Sequence, residues 1–463
     1  MGSFMKKLGL TLTTFLISFS ALAGINHAPP SFPHKEDQVV FVDFKNASYS
    51  IVFDYAQKTV IVESTIDFYA PKSGYPIFDL IPEPTELQLN KSPSSAELIQ
   101  DPDKKTMMRV INQKVEVGYY QLKLKHSLST NVIFGAEGVA AGFWMSDLTD
   151  RKYLEQYLPT NLEFDQYQVS MDVEIINAGE LNHTLKTNGK IGKITENHFE
   201  VIYPDFYSTS SFYFHLFPNL VAVKNVQFYY QSIDGRLLPV DIYTSYDMDT
   251  FVNSTKTILA ELEADYGPFP HEQLIIYGNS PSGGMEYAGA TSTSLGALGH
   301  ELFHSYHARA LMPANGNAGW MDEAIARWRD NKYPLTAALS FESTQLAGAS
   351  VWSRMTDRMA YKEGSAFLSW IAYRMNEKGL SFKNFLKDYF DDYKYTTVTT
   401  GLFERELSLA SGMDLRADFK KYIYGQSVKM NKMNLSLKSF EEDENHPKLD
   451  QKQLDKLTWP RKN

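Results

Sequence analysis

The five residues His300 to His304, HELFH, constrain the local architecture more than any other stretch of this chain. Two histidines four residues apart stack on one face of a helix, so both imidazoles reach a single point in space. That is a metal-binding geometry, and zinc accepts imidazole nitrogens at about 2.0–2.1 Å. Glu301, turned away from the two ligands along the helix, can reach a water on such a metal as general base.

A catalytic centre needs a third protein ligand, and helix geometry separates two candidates. His307 continues the stripe, but about 1.5 Å of rise per residue puts it roughly 4.5 Å beyond His304 along the axis. No glycine among Ser305, Tyr306 and His307 breaks the helix to bring it back. Glu323 follows His304 with eighteen residues between, and the connector Pro313 to Gly319 (PANGNAG) is turn-rich enough to fold a second helix onto the first. The expected metal ligands are therefore His300, His304 and Glu323, holding one Zn2+ per chain.

Three flanking motifs add to this. GGMEY spans Gly283 to Tyr287, WMDEA spans Trp320 to Ala324, and YKEG spans Tyr361 to Gly364. With HELFH they resemble the gluzincin zinc metallopeptidases, in particular the aminopeptidase N and leukotriene hydrolase family. There a G-x-M-E-N strand precedes HExxH, the third ligand lies in W-x-x-E, and a tyrosine lies in a Y-x-K-G-like motif. The flank HSYHARALMP (His304 to Pro313) is similar to the glycyl aminopeptidase family.

The resemblance implies a zinc aminopeptidase with a thermolysin-like catalytic domain. It implies that Glu286, with Gly283, Gly284 and Met285, holds the free amino terminus of a peptide substrate, and that Tyr361 stabilises the oxyanion. GFWMS (Gly142 to Ser146) and LPTNLEFD (Leu158 to Asp165) resemble the family's G-F-Y-x-S strand and F-P-C-F-D-E-P turn. This chain departs from the pattern in carrying Tyr287 where the family has Asn. Without an amine anchor the same centre would be an endopeptidase, and with a ligand or base lost it would be a non-catalytic peptide-binding protein.

Charge narrows the partners. Lys and Arg number 45 against 55 Asp and Glu, a net charge of -10, which argues against nucleic acid, since phosphate binding needs clustered cations. Peptide substrates with an ammonium end are compatible with it. Cysteine is absent, which excludes disulfides, thiolate catalysis and a lipid anchor on cysteine. Lys6 and Lys7, the apolar run Leu8 to Phe19 and Ala21-Leu22-Ala23 read as a signal peptide over residues 1–23. The run is shorter than the about 20 apolar residues of a membrane span, so the expectation is export to a periplasmic or secreted destination without a stable anchor.

Segments rich in Val, Ile, Tyr and Phe then recur: Val39 to Phe44, Tyr49 to Tyr55, Thr59 to Phe68, Val115 to Lys125, Tyr167 to Ile176 and Phe199 to Tyr203. They predict an N-terminal antiparallel β-sandwich or saddle domain over 24–222. A thermolysin-like catalytic domain is expected over 223–340, its helical C-terminal part over 341–425 and a polar tail over 426–463, a multidomain α+β protein. Within it, Met285 to Ser292 reads as one edge strand. Helices are expected over Asp249 to Asp265, Leu298 to Leu311, Met321 to Lys332, Glu342 to Tyr361, Ser365 to Asn376, Phe382 to Tyr393, Leu402 to Leu409 and Leu415 to Tyr424.

Overall fold

The computed structural model describes residues 27–425, apart from 105, 147–151, 222, 349–350 and 353–355. The expected signal peptide and polar tail lie outside the described residues. No described helix is long and apolar enough to cross a membrane.

Period-two patterning builds the first half. Four long strands, β1 (Asp43–Asp54), β2 (Thr59–Ala70), β3 (Gly118–Ser127) and β4 (Gln168–Ile176), form the middle of an eight-stranded sheet in the order β4-β1-β2-β3. Along β2 the side chains of Val60, Val62, Ser64, Ile66, Phe68 and Ala70 are buried, alternating with residues that reach solvent. Phe214, Leu216, Val139 and Leu185, from a four-stranded sheet, join Ile51, Val62 and Leu122 in one core.

One expectation is corrected here. The large sheet is mixed, because β4 pairs with β1 in parallel. A parallel neighbour needs a long crossover rather than a hairpin. The forty residues between β3 and β4 provide it, and part of that crossover builds the four-stranded sheet.

The second half starts with a hairpin. β5 (Lys224–Gln231) and β6 (Leu237–Thr244) are joined through Asp234-Gly235, with Gly235 at φ 86°. α1 (Met248–Tyr266) follows, its first turn capped by Asp247, whose carboxylate accepts the Thr250 N–H. Then come β7 (Leu274–Gly278), β8 (Gly284–Tyr287) and β9 (Ala290–Thr293), giving a sheet in the order β5-β6-β7-β9-β8. Leu238, Val240, Ile242, Leu274 and Ile276 point from it into a core with Phe251, Leu259 and Leu262 of α1. Tyr243, Ile275 and Ala290 belong instead to the first core, so one sheet serves both and β8 is left at its edge. The single edge strand expected over Met285 to Ser292 is thus two strands. They turn at Ala288-Gly289, where Gly289 takes φ 63°.

The helices are α2 (Leu298–His304), α3 (Trp320–Asp330), α4 (Ser365–Asn376), α5 (Phe382–Tyr393), α6 (Thr400–Ser411) and α7 (Arg416–Tyr422). Two expected helices are corrected. α2 ends at His304 rather than Leu311, because the chain must swing out to pair Leu311–Pro313 in parallel with Thr396–Val398. The described residues between Glu342 and Met359 are not helical. Their polar groups pair with Tyr422 and Ile423 instead: Ala347 N–H donates to Ile423 O at 2.9 Å, and the Thr344 hydroxyl donates to Tyr422 O. A π-turn over Ala360–Gly364 then leads into α4.

Candidate metal centre

α2 and α3 bring the three expected ligands together. His300 Nε2 and His304 Nε2 lie 3.0 Å apart, and Glu323 Oε2 lies 3.2 Å from the first and 3.4 Å from the second. A tetrahedral centre with bonds of about 2.0–2.1 Å separates its ligand atoms by about 3.3 Å, so this triangle has the size that one zinc ion requires. All three donors are of types zinc accepts, and among the described residues theirs are the ligand atoms that cluster closely enough to hold a metal.

Outer contacts decide which nitrogen of each ring faces the centre. His300 Nδ1 donates to Asp330 Oδ2 at 2.7 Å, and His304 Nδ1 donates to the backbone O of His307 at 3.3 Å. Each ring therefore turns Nε2 toward Glu323. His307 itself stays out of the cluster for a reason other than the one its spacing gave: the helix has ended, and its ring stacks on Phe303.

The electrostatics point to a cation. Burial disfavours a charged His300, yet its bonds to Asp330 and Glu323 outweigh that and raise its pKa to about 9. His304 is raised too: burial opposes its charge, and the carboxylates of Glu286 and Glu323 overcome it. Glu323 is buried, which favours its neutral form, but hydrogen bonds from both histidines hold it well below the usual carboxylate range. A site that draws protons onto two imidazoles beside an ionised carboxylate is one where a divalent cation can replace them.

Glu301 is nearly buried beside the ligands. Burial first, then the negative charge of Glu286, raise its pKa to about 8. Gly284 of β8 presses on it so closely that a Cβ there would stand 2.7 Å from Glu301 Cγ, Cδ and Oε1. Tyr361 enters from the π-turn, its hydroxyl donating to Glu323 Oε1 and its ring stacked against His300 at 6.2 Å. Gly364 lets that turn approach α3, since a Cβ there would stand 2.9 Å from Ala324 Cβ.

Glu286 lies on β8 and is 4% exposed. Its Oε1 accepts from Arg309 Nη2 at 2.6 Å. Gly283 takes φ 69° at the entry to β8, and Met285 is half-buried with its backbone O accepting from Thr291 Oγ1. Every expected site residue thus gathers around β8, α2, α3 and the π-turn. Two residues escaped the sequence reading. Asp330 stands seven after Glu323, the spacing of one helix face, and that periodicity was its signal. Arg309 stands as one charge within the apolar run Ala308 to Pro313, a weaker sign of a buried partner.

No family model matches the chain, and no curated protein matches it by sequence. Solved structures do match. Legionella pneumophila aminopeptidase A, crystallised with aspartic acid, is 15% identical with a TM-score of 0.61, over 83% of this chain and 50% of that one. The M1 zinc metallopeptidase of Deinococcus radiodurans is 15% identical with a TM-score of 0.59, over 82% of this chain and 94% of that one. Yeast LTA4 hydrolase is 13% identical with a TM-score of 0.58, over 84% and 69%. The chain spans half the length of the first of these and nearly all of the second. At this identity the likeness is one of architecture, and it gives the chain the multidomain fold of the M1 zinc metallopeptidases.

Proposed function

We propose that this chain is a zinc-dependent aminopeptidase that hydrolyses N-terminal residues from peptides. The observation that carries this is the triangle of His300, His304 and Glu323, of tetrahedral size, with Glu301 beside it. His300, His304 and Glu323 would hold the zinc ion, which would supply a Lewis acid for the scissile carbonyl and a more acidic water. Glu301 takes the proton of the attacking water and passes it to the leaving amine. The pressure of Gly284 on the Glu301 carboxyl limits where that group can turn. Tyr361, at the edge of the cluster, donates its hydroxyl to the carbonyl oxygen as charge builds there.

β8 lies at the edge of its sheet, where an extended peptide can run alongside it, and Glu286 accepts from the substrate's ammonium. Among the described residues Glu286 Oε2 has no hydrogen-bond partner, which supports that use. An amine held at this point limits cleavage to the first residue or two. The same reading takes the five-stranded sheet with its helices as a thermolysin-like catalytic domain from about residue 223, preceded by the β-domain. It places the enzyme in an exported, periplasmic or secreted setting after loss of residues 1–23, and determining the amino terminus of the purified protein tests that.

The central experiment measures zinc content together with hydrolysis of aminoacyl amides and short peptides, each with a free and an acetylated amino terminus. Cleavage of the free amines alone is the expected result. Equal cleavage of the acetylated set would make the protein an endopeptidase, and a zinc-loaded protein inert toward both would overturn the reading.

A further inference from the structure

Two arginines in the described chain are almost wholly buried, and their surroundings differ. Arg109 donates to the backbone carbonyls of Leu80, Ile81 and Pro82 and pairs with the exposed Glu83 at 2.8 Å, none of them a residue of the metal centre. Arg309 grips one residue at two points. Its Nη2 donates to Glu286 Oε1 at 2.6 Å and its Nε to the Glu286 backbone O at 3.3 Å. Nη1 donates to Ser210 Oγ at 2.7 Å, and the guanidinium carbon lies 5.9 Å from the centre of the Tyr153 ring.

Glu286 and Glu301 are both buried carboxylates, and a buried carboxylate calls for a fixed, hydrogen-bonded partner, which Arg309 gives to Glu286. A guanidinium is charged at every working pH and forms a planar fork, so it can hold a carboxylate oxygen and a carbonyl oxygen at once. The anchor of that fork lies outside the metal-binding helices. Ser210 sits in the buried segment Ser208 to Ser211, which also pairs Ser211 O with Ala288 N–H at 3.1 Å and with Asn188 Nδ2 at 2.7 Å.

We propose that Arg309 is a positioning residue for amine recognition: it commits Glu286 Oε1 and the Glu286 main chain, and leaves Oε2 as the one acceptor presented to a substrate's primary ammonium. This rests on the aminopeptidase reading and extends it to the residue that sets its selectivity. The favoured ligand class is a free α-amino group. An acetylated nitrogen, neutral and carrying one N–H, gains less from that acceptor, because it brings no positive charge and a single donor. Lysine cannot replace Arg309 fully, because a point charge reaches the carboxylate or the carbonyl but does not fork between them.

The test uses the full, zinc-loaded chain with Glu301→Gln to stop turnover, and measures binding of leucinamide and of N-acetyl-leucinamide by calorimetry. Adding Arg309→Met is expected to weaken leucinamide about tenfold and the acetylated ligand less than twofold, with Arg309→Lys recovering only part of the difference. Ser210→Ala, a milder change that removes the Nη1 bond to Ser210 Oγ together with a 3.3 Å hydroxyl contact to Ser208, is expected to lower the preference for leucinamide two- to fivefold, and it decides the matter if the Arg309 variants do not fold. An unchanged preference in folded, zinc-loaded variants overturns the proposal, as does an equal loss for both ligands, which is the mark of a purely structural ion pair. If the Arg309-containing protein itself shows no preference for the free amine, the amine-anchor reading fails first and the proposal with it.

Discussion

Asp330 accepts the Nδ1–H of His300 at 2.7 Å from the same helix that supplies Glu323, so α3 both provides one ligand and orients another. Removing that carboxylate leaves the His300 ring free to turn or to present the wrong tautomer. Asp330→Ala is expected to weaken zinc binding about 10- to 100-fold, the usual cost of losing an outer-shell partner. Competition against a calibrated chelator measures it. Wild-type affinity in a folded Asp330→Ala protein would mean that the ring is oriented by its other neighbours.

Glu301→Gln separates binding of the metal from use of it. The amide keeps the size of the side chain but cannot accept the water's proton, and Glu301 is not one of the three clustered donors. Zinc content should stay at one per chain while turnover falls by about 10²–10⁴, the range for loss of a general base. Residual activity near that of the unchanged protein would remove Glu301 from the mechanism.

The site was legible where chemistry imposes spacing. HELFH demands a helix, and a third ligand separated from His304 by eighteen residues demands a return helix, whatever packs around them. What escaped depended on tertiary partners. α2 stops at His304 because Leu311–Pro313 is drawn into pairing with Thr396–Val398, a contact across more than eighty residues. The stretch after Glu342 has helix-compatible residues, but its backbone finds partners at Tyr422 and Ile423. β4 pairs in parallel with β1, and its alternating pattern would look the same in an antiparallel sheet. Arg309 was hidden because nothing local says which carboxylate a buried arginine will meet.

Asp165 offers a test of stability against pH away from the metal centre. Burial, aided by the nearby charge of Asp43, raises its pKa to about 8. An acid raised on folding stabilises the native state fully below its unfolded value near 4, and loses that contribution as pH climbs through about 8. Asp165 Oδ2 accepts from Phe44 N–H at 2.8 Å and Asn161 Nδ2 at 2.7 Å, and Oδ1 accepts from Gln166 N–H at 3.0 Å. Asparagine in its place would turn an N–H2 group toward one of these donors. The melting temperature of the natural protein should therefore exceed that of Asp165→Asn at pH 5, with the gap narrowing toward pH 9. A gap that stays constant from pH 5 to pH 9 would mean that Asp165 is ionised in the folded state throughout.

Gly284 and Gly283 are neighbours with opposite reasons to be glycine, and their alanine variants should fail differently. Gly284 does not take a left-handed φ, so its backbone tolerates alanine, but the added Cβ would stand 2.7 Å from Glu301 Cγ, Cδ and Oε1. The Glu301 carboxyl must then shift, since the three atoms nearest the added Cβ all belong to Glu301. Gly284→Ala is expected to keep its zinc and its melting temperature and to lose at least about tenfold in kcat, since a misplaced base transfers protons poorly. Gly283 takes φ 69° with open space around its Cα. Alanine there should cost about 1–2 kcal/mol of stability through left-handed strain, with kcat changed far less. Measuring kcat, zinc content and unfolding for both distinguishes crowding of the base from strain in the strand. A fully active Gly284→Ala would show that the Glu301 carboxyl works from a position other than the one it occupies against β8.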